Sequence, residues 1–290
     1  MSAITADIKM ESIMKSITCS LPDSLYEALE ERVRTEKANR DHVVSVALSQ
    51  YLGKAIHTLF QVSTSAALVE GLYQGAVRVS RLLRHGDFGL GTFIDLNGEM
   101  VVLEGICYQV SSGGGVAVIE GDQLIPYGVV TRFKAEFSKQ SQRLNSFDEL
   151  TSVCDDFRDS DNVFYAFRVD GRFSLMKTRV MKSVPEGTNL KAAASGQQEF
   201  VFQDISGTLV GLWSPGFAGS FSVPGYHFHF LSADRQKGGH VLECHALDVA
   251  VAGCAMNEMH VSLPETEEFL KADLTRDPQA DLMKAERSHD

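Results

Sequence analysis

What this chain of 290 residues lacks narrows its class before any motif is read. It has 5 cysteines, at Cys19, Cys107, Cys154, Cys244 and Cys254, and no two are spaced as CxxC. The odd number, and positions inside apolar runs such as Val251-Ala252-Gly253-Cys254-Ala255, argue against a disulfide framework and for buried free thiols in a reducing compartment. No apolar run approaches the ~18–20 residues that cross a bilayer. The opening MSAITADIKMESIMKS lacks the continuous apolar stretch of a signal peptide. These absences lead to the expectation of a soluble, cytoplasmic protein with no membrane partner. Positive charge is also scarce. With 27 Lys and Arg against 38 Asp and Glu, the formal net charge is −11, which repels nucleic acid as a whole while leaving room for a local basic patch. At 44% apolar residues the chain can still build a sizeable core. Its length suits two domains, or one large domain with an appendage.

Residues 1–54 read as a unit of their own, and 55–290 as a second. Ser16-Ile17-Thr18-Cys19-Ser20-Leu21 alternates polar and apolar, the period of a half-buried strand. Pro22 stops it, and Asp23 can cap a helix in which Leu25, Leu29 and Val33 recur at helical spacing. A second helix carries Val43, Val44, Ala47, Leu48 and Tyr51 on one face. A lone six-residue strand leaves both edges unpaired, so the pattern asks for a second copy of itself. This strand-helix-helix segment resembles the ribbon-helix-helix family, whose intertwined dimers in DNA-binding members read the major groove with the outward face of the ribbon. Those outward positions are Ser16, Thr18 and Ser20 here. Up to Lys54 there are 7 Lys and Arg against 8 Asp and Glu, few cations for a phosphate backbone. Dimerisation alone and DNA binding therefore both stay open for this unit.

Beyond Thr58 the character changes to many Gly-punctuated strands and few helices. Short helices are expected at 66–73 and 79–83. A capping box at Ser146-Phe147-Asp148-Glu149 opens another, and a last one runs over 266–274. Strands are expected at 90–96, 100–103, 107–110, 115–119, 163–169, 173–179, 199–202, 208–213, 221–223, 226–231 and 240–249. The fold class is α+β with largely antiparallel sheets. One internal echo joins two stretches: Thr92-Phe93 followed by Gly98-Glu99, and His229-Phe230 followed by Gly239-His240. Both read as strand, turn and strand. If they are a duplication, Glu99 and His240 hold equivalent places.

The chemistry concentrates in Tyr226-His227-Phe228-His229-Phe230. Residues i and i+2 of a strand share a face, so His227 and His229 converge while the phenylalanines pack on the other side. A return strand after Gly238-Gly239 would bring His240 beside them. An HxH pair alone is often an ordinary core or surface feature. A glycine-flanked third imidazole makes it a facial nitrogen set with open positions, as catalytic zinc sites require.

Over 59–286 the sequence resembles the alpha-acetolactate decarboxylases. The resemblance is carried by Phe60-Gln61-Val62-Ser63-Thr64, His85-Gly86-Asp87-Phe88-Gly89-Leu90-Gly91-Thr92-Phe93, Phe164-Tyr165-Ala166-Phe167-Arg168-Val169-Asp170-Gly171, Thr178-Arg179, Gly225-Tyr226-His227-Phe228-His229-Phe230 and Gly238-Gly239-His240. It implies two β-rich halves assembled as a homodimer or higher homo-oligomer. It also implies a Zn2+ cofactor on His227, His229 and His240, with catalytic roles for Glu99 and Arg179. A C-terminal glutamate that folds back toward the metal falls on Glu286 by spacing alone. Thr92 would line the pocket if strand parity holds. The implied reaction is decarboxylation of acetolactate to acetoin, a carboxy-lyase activity. The rival reading is a ligand- or metal-responsive DNA-binding regulator with a decarboxylase-like sensor domain.

Overall fold

Glycine placement and strand alternation give the larger part of the chain its shape. A computed structural model describes residues 17–36, 40–52 and 58–286, and the chain divides into two units, Met1–Lys54 and Ala55–Asp290. In the first unit, helices Asp23–Glu36 and Arg40–Leu52 form. The amides of Leu25 and Tyr26 donate to the Pro22 carbonyl, both at 3.0 Å, so Asp23 stands in the first turn rather than ahead of it. The expected strand at 16–21 is not formed. Ser16 lies outside the described residues, and 17–22 pair with no strand among the described residues. No described side chain of this unit is buried, and Leu25, Tyr26, Tyr51 and Leu52 are exposed.

The second unit is mixed α+β. Its strands are β1 (Thr58–Val62), β2 (Val77–Arg78), β3 (Phe88–Thr92), β4 (Glu99–Leu103), β5 (Ile106–Val110), β6 (Val116–Val118), β7 (Leu124–Ile125) and β8 (Tyr127–Thr131), then β9 (Phe137–Leu144), β10 (Phe164–Val180), β11 (Gln198–Ser214), β12 (Gly225–Ser232), β13 (Gly238–Met256) and β14 (Glu258–Ser262). One sheet runs β14-β1-β8-β3-β4-β5-β6, antiparallel except for the parallel β14–β1 pair. In the other, β10 pairs with β11, β11 with β12, β12 with β13, and β13 returns to β10 while also carrying β9. That ring closes around a core of Phe167, Phe173, Phe228 and Phe230, all nearly inaccessible.

Several expected boundaries are corrected by this closure. The pairs 163–169 with 173–179, and 199–202 with 208–213, each merge into one 17-residue strand. Gly171 and Gly207, in the gaps between those expected strands, lie directly opposite one another in the register. A Cβ on Gly171 would meet the Asp248 carbonyl at 2.2 Å, and one on Gly207 the Leu231 carbonyl at 2.5 Å. Glycine here permits a close bend between strands instead of ending them. The stretch 90–96 splits into β3 and a 3-10 turn at Ile94–Leu96, where Asp95 and Leu96 take positive φ. Residues 221–223 form no strand, because the Phe221 amide turns back to the Ala218 carbonyl at 2.8 Å. The last expected helix shrinks to Glu267–Lys271, capped by Thr266, and a further helix, Gln279–Glu286, follows it. The Ser146 cap forms: its hydroxyl accepts from the Glu149 amide at 3.1 Å, and Glu149 accepts from the Asn145 amide at 2.8 Å.

Candidate active site

Two rows of side chains, one from each sheet, build the site. In the ring, His229 of β12 is the register partner of His240 on β13, and His240 that of Arg179 on β10. In the seven-stranded sheet, Glu99 of β4 is the partner of Thr92 on β3, and Thr92 that of Tyr127 on β8. Cross-strand partners project to the same face, so each row presents three functional groups side by side. The repeated hairpin seen in the sequence therefore places Glu99 opposite Thr92 and His240 opposite His229. Gly98 and Gly239, with φ of +94 and +132, immediately precede Glu99 and His240. A Cβ on Gly239 would meet the Arg179 carbonyl at 2.7 Å, so only glycine lets His240 come this close to β10.

The imidazoles of His227, His229 and His240 offer nitrogens that all lie within 4.8 Å of one another. Phe228 and Phe230 fill the ring core behind them, as strand alternation requires. His229 Nδ1 lies 2.7 Å from the Met100 carbonyl, which fixes the proton on that nitrogen and leaves Nε2 free. His240 Nε2 faces the Glu286 carbonyl at 3.3 Å, and its Nδ1 is buried with no hydrogen-bond partner. His227 Nε2 and His229 Nε2 stand 3.1 Å apart, a separation at which a proton or a cation must lie between them. Burial, reinforced by the Arg179 charge, pushes His227 down to about 3. Burial is also the first cause holding His229 and His240 well below the ordinary histidine value. Three neutral imidazoles with one orphan nitrogen and two apposed ones form a donor set that fits a divalent transition metal.

Charged groups surround that set. The Arg179 guanidinium is buried and bridges two carboxylates, Nη1 to Glu99 Oε1 at 3.4 Å and Nη2 to Glu286 Oε2 at 2.9 Å. Glu99 Oε1 also accepts from the Met181 amide at 3.1 Å, while its Oε2 lies 3.6 Å from His229 Nε2. Burial pushes Glu99 up to about 7 against the opposing pull of Arg179, so it can hold or release a proton near neutrality. Glu286 Oε2 is 3.4 Å from His240 Nδ1 and 3.8 Å from His227 Nε2. The Thr92 hydroxyl donates to the Gly98 carbonyl at 2.9 Å.

Thr92, Glu99, Arg179, His227, His229 and Glu286 line one small cavity, whose empty space with the open solvent at its mouth is about 490 Å³. His240 sits behind them, on a neighbouring cleft along the helix Gln279–Glu286. Sequence reasoning missed the cavity's other polar group, Tyr127, and its apolar wall of Leu68, Leu96, Leu190 and Val223. Burial raises Tyr127 above the ordinary phenol value, and Ser222 hydrogen-bonds to it. Nothing local marks Tyr127, since its place beside Thr92 depends on a long-range pairing. Among the described residues no helix is long and apolar enough to cross a membrane.

Residues 59–276 match the family model described as alpha-acetolactate decarboxylase, which stops short of Glu286. The alpha-acetolactate decarboxylase of Methanosarcina mazei is 38% identical over 237 residues, covering 80% of this chain and 81% of the relative. That of Methylococcus capsulatus is 35% identical over 254 residues, covering 86% and 96%. The crystal structure of the Bacillus subtilis strain 168 enzyme superposes with a TM-score of 0.76 at 30% identity, covering 80% of this chain and all of that one.

Proposed function

Because the chain belongs to the alpha-acetolactate decarboxylase family, we propose that it is a carboxy-lyase that converts 2-acetolactate to acetoin, with zinc held by His227, His229 and His240. The observation that carries this reading is the buried Arg179, shared by Glu99 and Glu286 directly beside three neutral imidazoles. A sensor of metal or ligand has no need of a buried carboxylate poised near neutrality, so the regulator reading is not favoured.

In the reaction, the bond between the carboxylate carbon and the carbinol carbon breaks and carbon dioxide leaves. The electron pair passes to the adjacent ketone as an enediolate, and a proton returned to carbon gives acetoin. Zinc would supply Lewis acidity toward the developing negative charge on oxygen. Arg179 has donors beyond those facing Glu99 and Glu286, and its buried Nε has no partner. It would orient the substrate carboxylate so that the breaking bond lies across the ketone. Glu99 carries the proton, held at the Met181 amide and beside His229. Tyr127 and Thr92 bind substrate oxygens from the opposite row, and the apolar wall takes the alkyl substituents. Glu286 caps the cavity and helps hold Arg179.

For the first unit we propose a ribbon-helix-helix-like pairing with a second copy, making the protein a homodimer or higher homo-oligomer. The exposed Leu25, Tyr26, Tyr51 and Leu52 need cover that a two-helix unit cannot supply to itself. Four buried free thiols fit a reducing, cytoplasmic setting. The deciding experiment is acetoin formation by purified protein before and after chelation, with metal analysis of His229→Ala. Chelation is expected to abolish turnover, zinc to restore it, and the variant to lose its zinc. Undiminished zinc or turnover would sink the assignment. Removal of residues 1–54 is expected to change the oligomeric state and spare the activity.

A further inference from the structure

Away from the cavity, one edge of the seven-stranded sheet gathers cations that form no ion pair with a carboxylate among the described residues. The helix Val79–His85 carries Arg81, Arg84 and His85 at i, i+3 and i+4, on one face. Arg132, just past β8, donates from Nη2 to the Arg84 carbonyl at 2.7 Å. Arg81 Nη2 reaches Ser262 Oγ on the edge strand β14 at 3.3 Å, and His260 lies on the same face of that strand, two residues back. The His85 ring stacks on Phe60 at 3.7 Å with only 5° between the planes, and lies 6.2 Å from the His260 ring.

Three guanidiniums and two imidazoles therefore meet on one surface of a chain whose net charge is −11. Like charges at helical spacing repel, so the arrangement costs stability unless an anion offsets it. His85 responds to that field. Burial first, then His260 and the three arginines, hold it below the ordinary histidine value. Two acids on the neighbouring segments bond to uncharged donors: Glu258 accepts from Thr58 Oγ1 at 3.3 Å, and Asp87 accepts from the Phe133 amide at 2.9 Å. Arg81 and Arg132 each spend one N–H on a neutral acceptor, which steadies the fork and leaves the other donors of each group for a ligand.

We propose that this edge is a binding site for a phosphate-type dianion, either free phosphate or the phosphate group of a small monoester. Arg81 and Arg132 would grip its oxygens in charge-assisted pairs, with Arg84, His85 and His260 completing the field. None of these residues lines the cavity beside the imidazoles.

The test uses the full chain at constant ionic strength, with inorganic phosphate and glycerol 3-phosphate titrated separately by calorimetry and against chloride controls. Saturable binding of either probe is expected, weakened at least ~10-fold in Arg81→Gln/Arg132→Gln, with acetoin formation unchanged in that variant. Tighter binding of inorganic phosphate identifies the free ion, and tighter binding of glycerol 3-phosphate a monoester. The His85 ring signals are expected to move on titration, as an anion relieves the repulsion around them. Absence of saturable binding by both probes, or equal binding by the variant, overturns the site. So does a short DNA duplex that binds while both small phosphates fail, which would make the surface a nucleic-acid interface.

Discussion

Substituting Leu282 by alanine is expected to release the C-terminal helix while leaving both sheets intact. The helix Gln279–Glu286 has 8 residues, too few to persist undocked. Its apolar contacts are Leu282 and Ala285, 1% and 2% exposed. Its one buried polar tie is the Glu286 pair with Arg179 at 2.9 Å, and its surface ties are weak. Arg276 pairs with Glu70 and Asp281 at 2.8 Å on the surface, pairs that contribute at most ~1 kcal/mol. Gln279 donates to the Gly216 carbonyl at a long 3.3 Å. Leu282→Ala deletes three buried carbons, about 2 kcal/mol of lost burial before any cavity cost. That loss falls on local docking, so the helix should open roughly 30-fold more often than in the parent. Hydrogen exchange followed by mass spectrometry would read this directly, with the 279–286 amides exchanging faster and those of β10 and β13 unchanged. Acetoin formation should fall with it, since opening carries Glu286 away from Arg179. Unchanged exchange in the helix, or faster exchange of all strands together with a large drop in Tm, would refute this picture of a separately docked cap.

Glu99→Gln and Arg179→Lys are each expected to fold and keep zinc yet lose at least ~100-fold in acetoin formation; near-normal turnover in either would show that the site is misplaced. Tyr127→Phe keeps the packed ring and removes the hydroxyl, so KM should rise several-fold with a smaller change in kcat, read from initial rates across substrate concentration. Alkaline pH should destabilise the fold. Burial pushes Cys107, Cys244 and Cys254 up to about 12, and a raised folded value means stability that is fully present below the ordinary thiol value near 9 and lost as pH rises toward 12. Thermal melts across that window should show the decline, and a thiol reagent should leave Cys107, Cys154, Cys244 and Cys254 unlabelled until the chain unfolds.

The parts of the fold that were legible in the sequence are those fixed by local rules. Alternation in 226–230 set the faces of His227 and His229, and the Ser146 box opened its helix, because both depend on residues a few positions apart. Strands β8 and β9 went unread. Phe137–Leu144 mixes Lys, Gln, Arg and Ser on an edge of the ring, and Tyr127–Thr131 is buried throughout, so neither alternates clearly. The expected strands 163–169 and 173–179, and 199–202 and 208–213, were separated across gaps that hold Gly171 and Gly207. Their lack of a side chain suits a break in an isolated strand and equally suits a bend where two backbones nearly touch. The N-terminal strand was read as needing a partner, and none of the described strands pairs with it.

Glu99, Arg179 and Glu286 came from the resemblance alone, because what unites them is the meeting of two sheets that the sequence does not order. The row Glu99–Thr92–Tyr127 exists only because β3 lies between β4 and β8, and the row His229–His240–Arg179 only because β13 lies between β12 and β10. Each row alone is incomplete: one has the carboxylate without nitrogen ligands, the other the ligands and the cation without the carboxylate. Contacts across the gap join them. His229 Nδ1 meets the Met100 carbonyl, and Glu99 meets Arg179 and the Met181 amide. The first of these also sets the imidazole's tautomer and frees its Nε2. One of the bonds that join the sheets at the site is thus the bond that leaves His229 Nε2 open, so docking of the two sheets and the orientation of this imidazole are coupled.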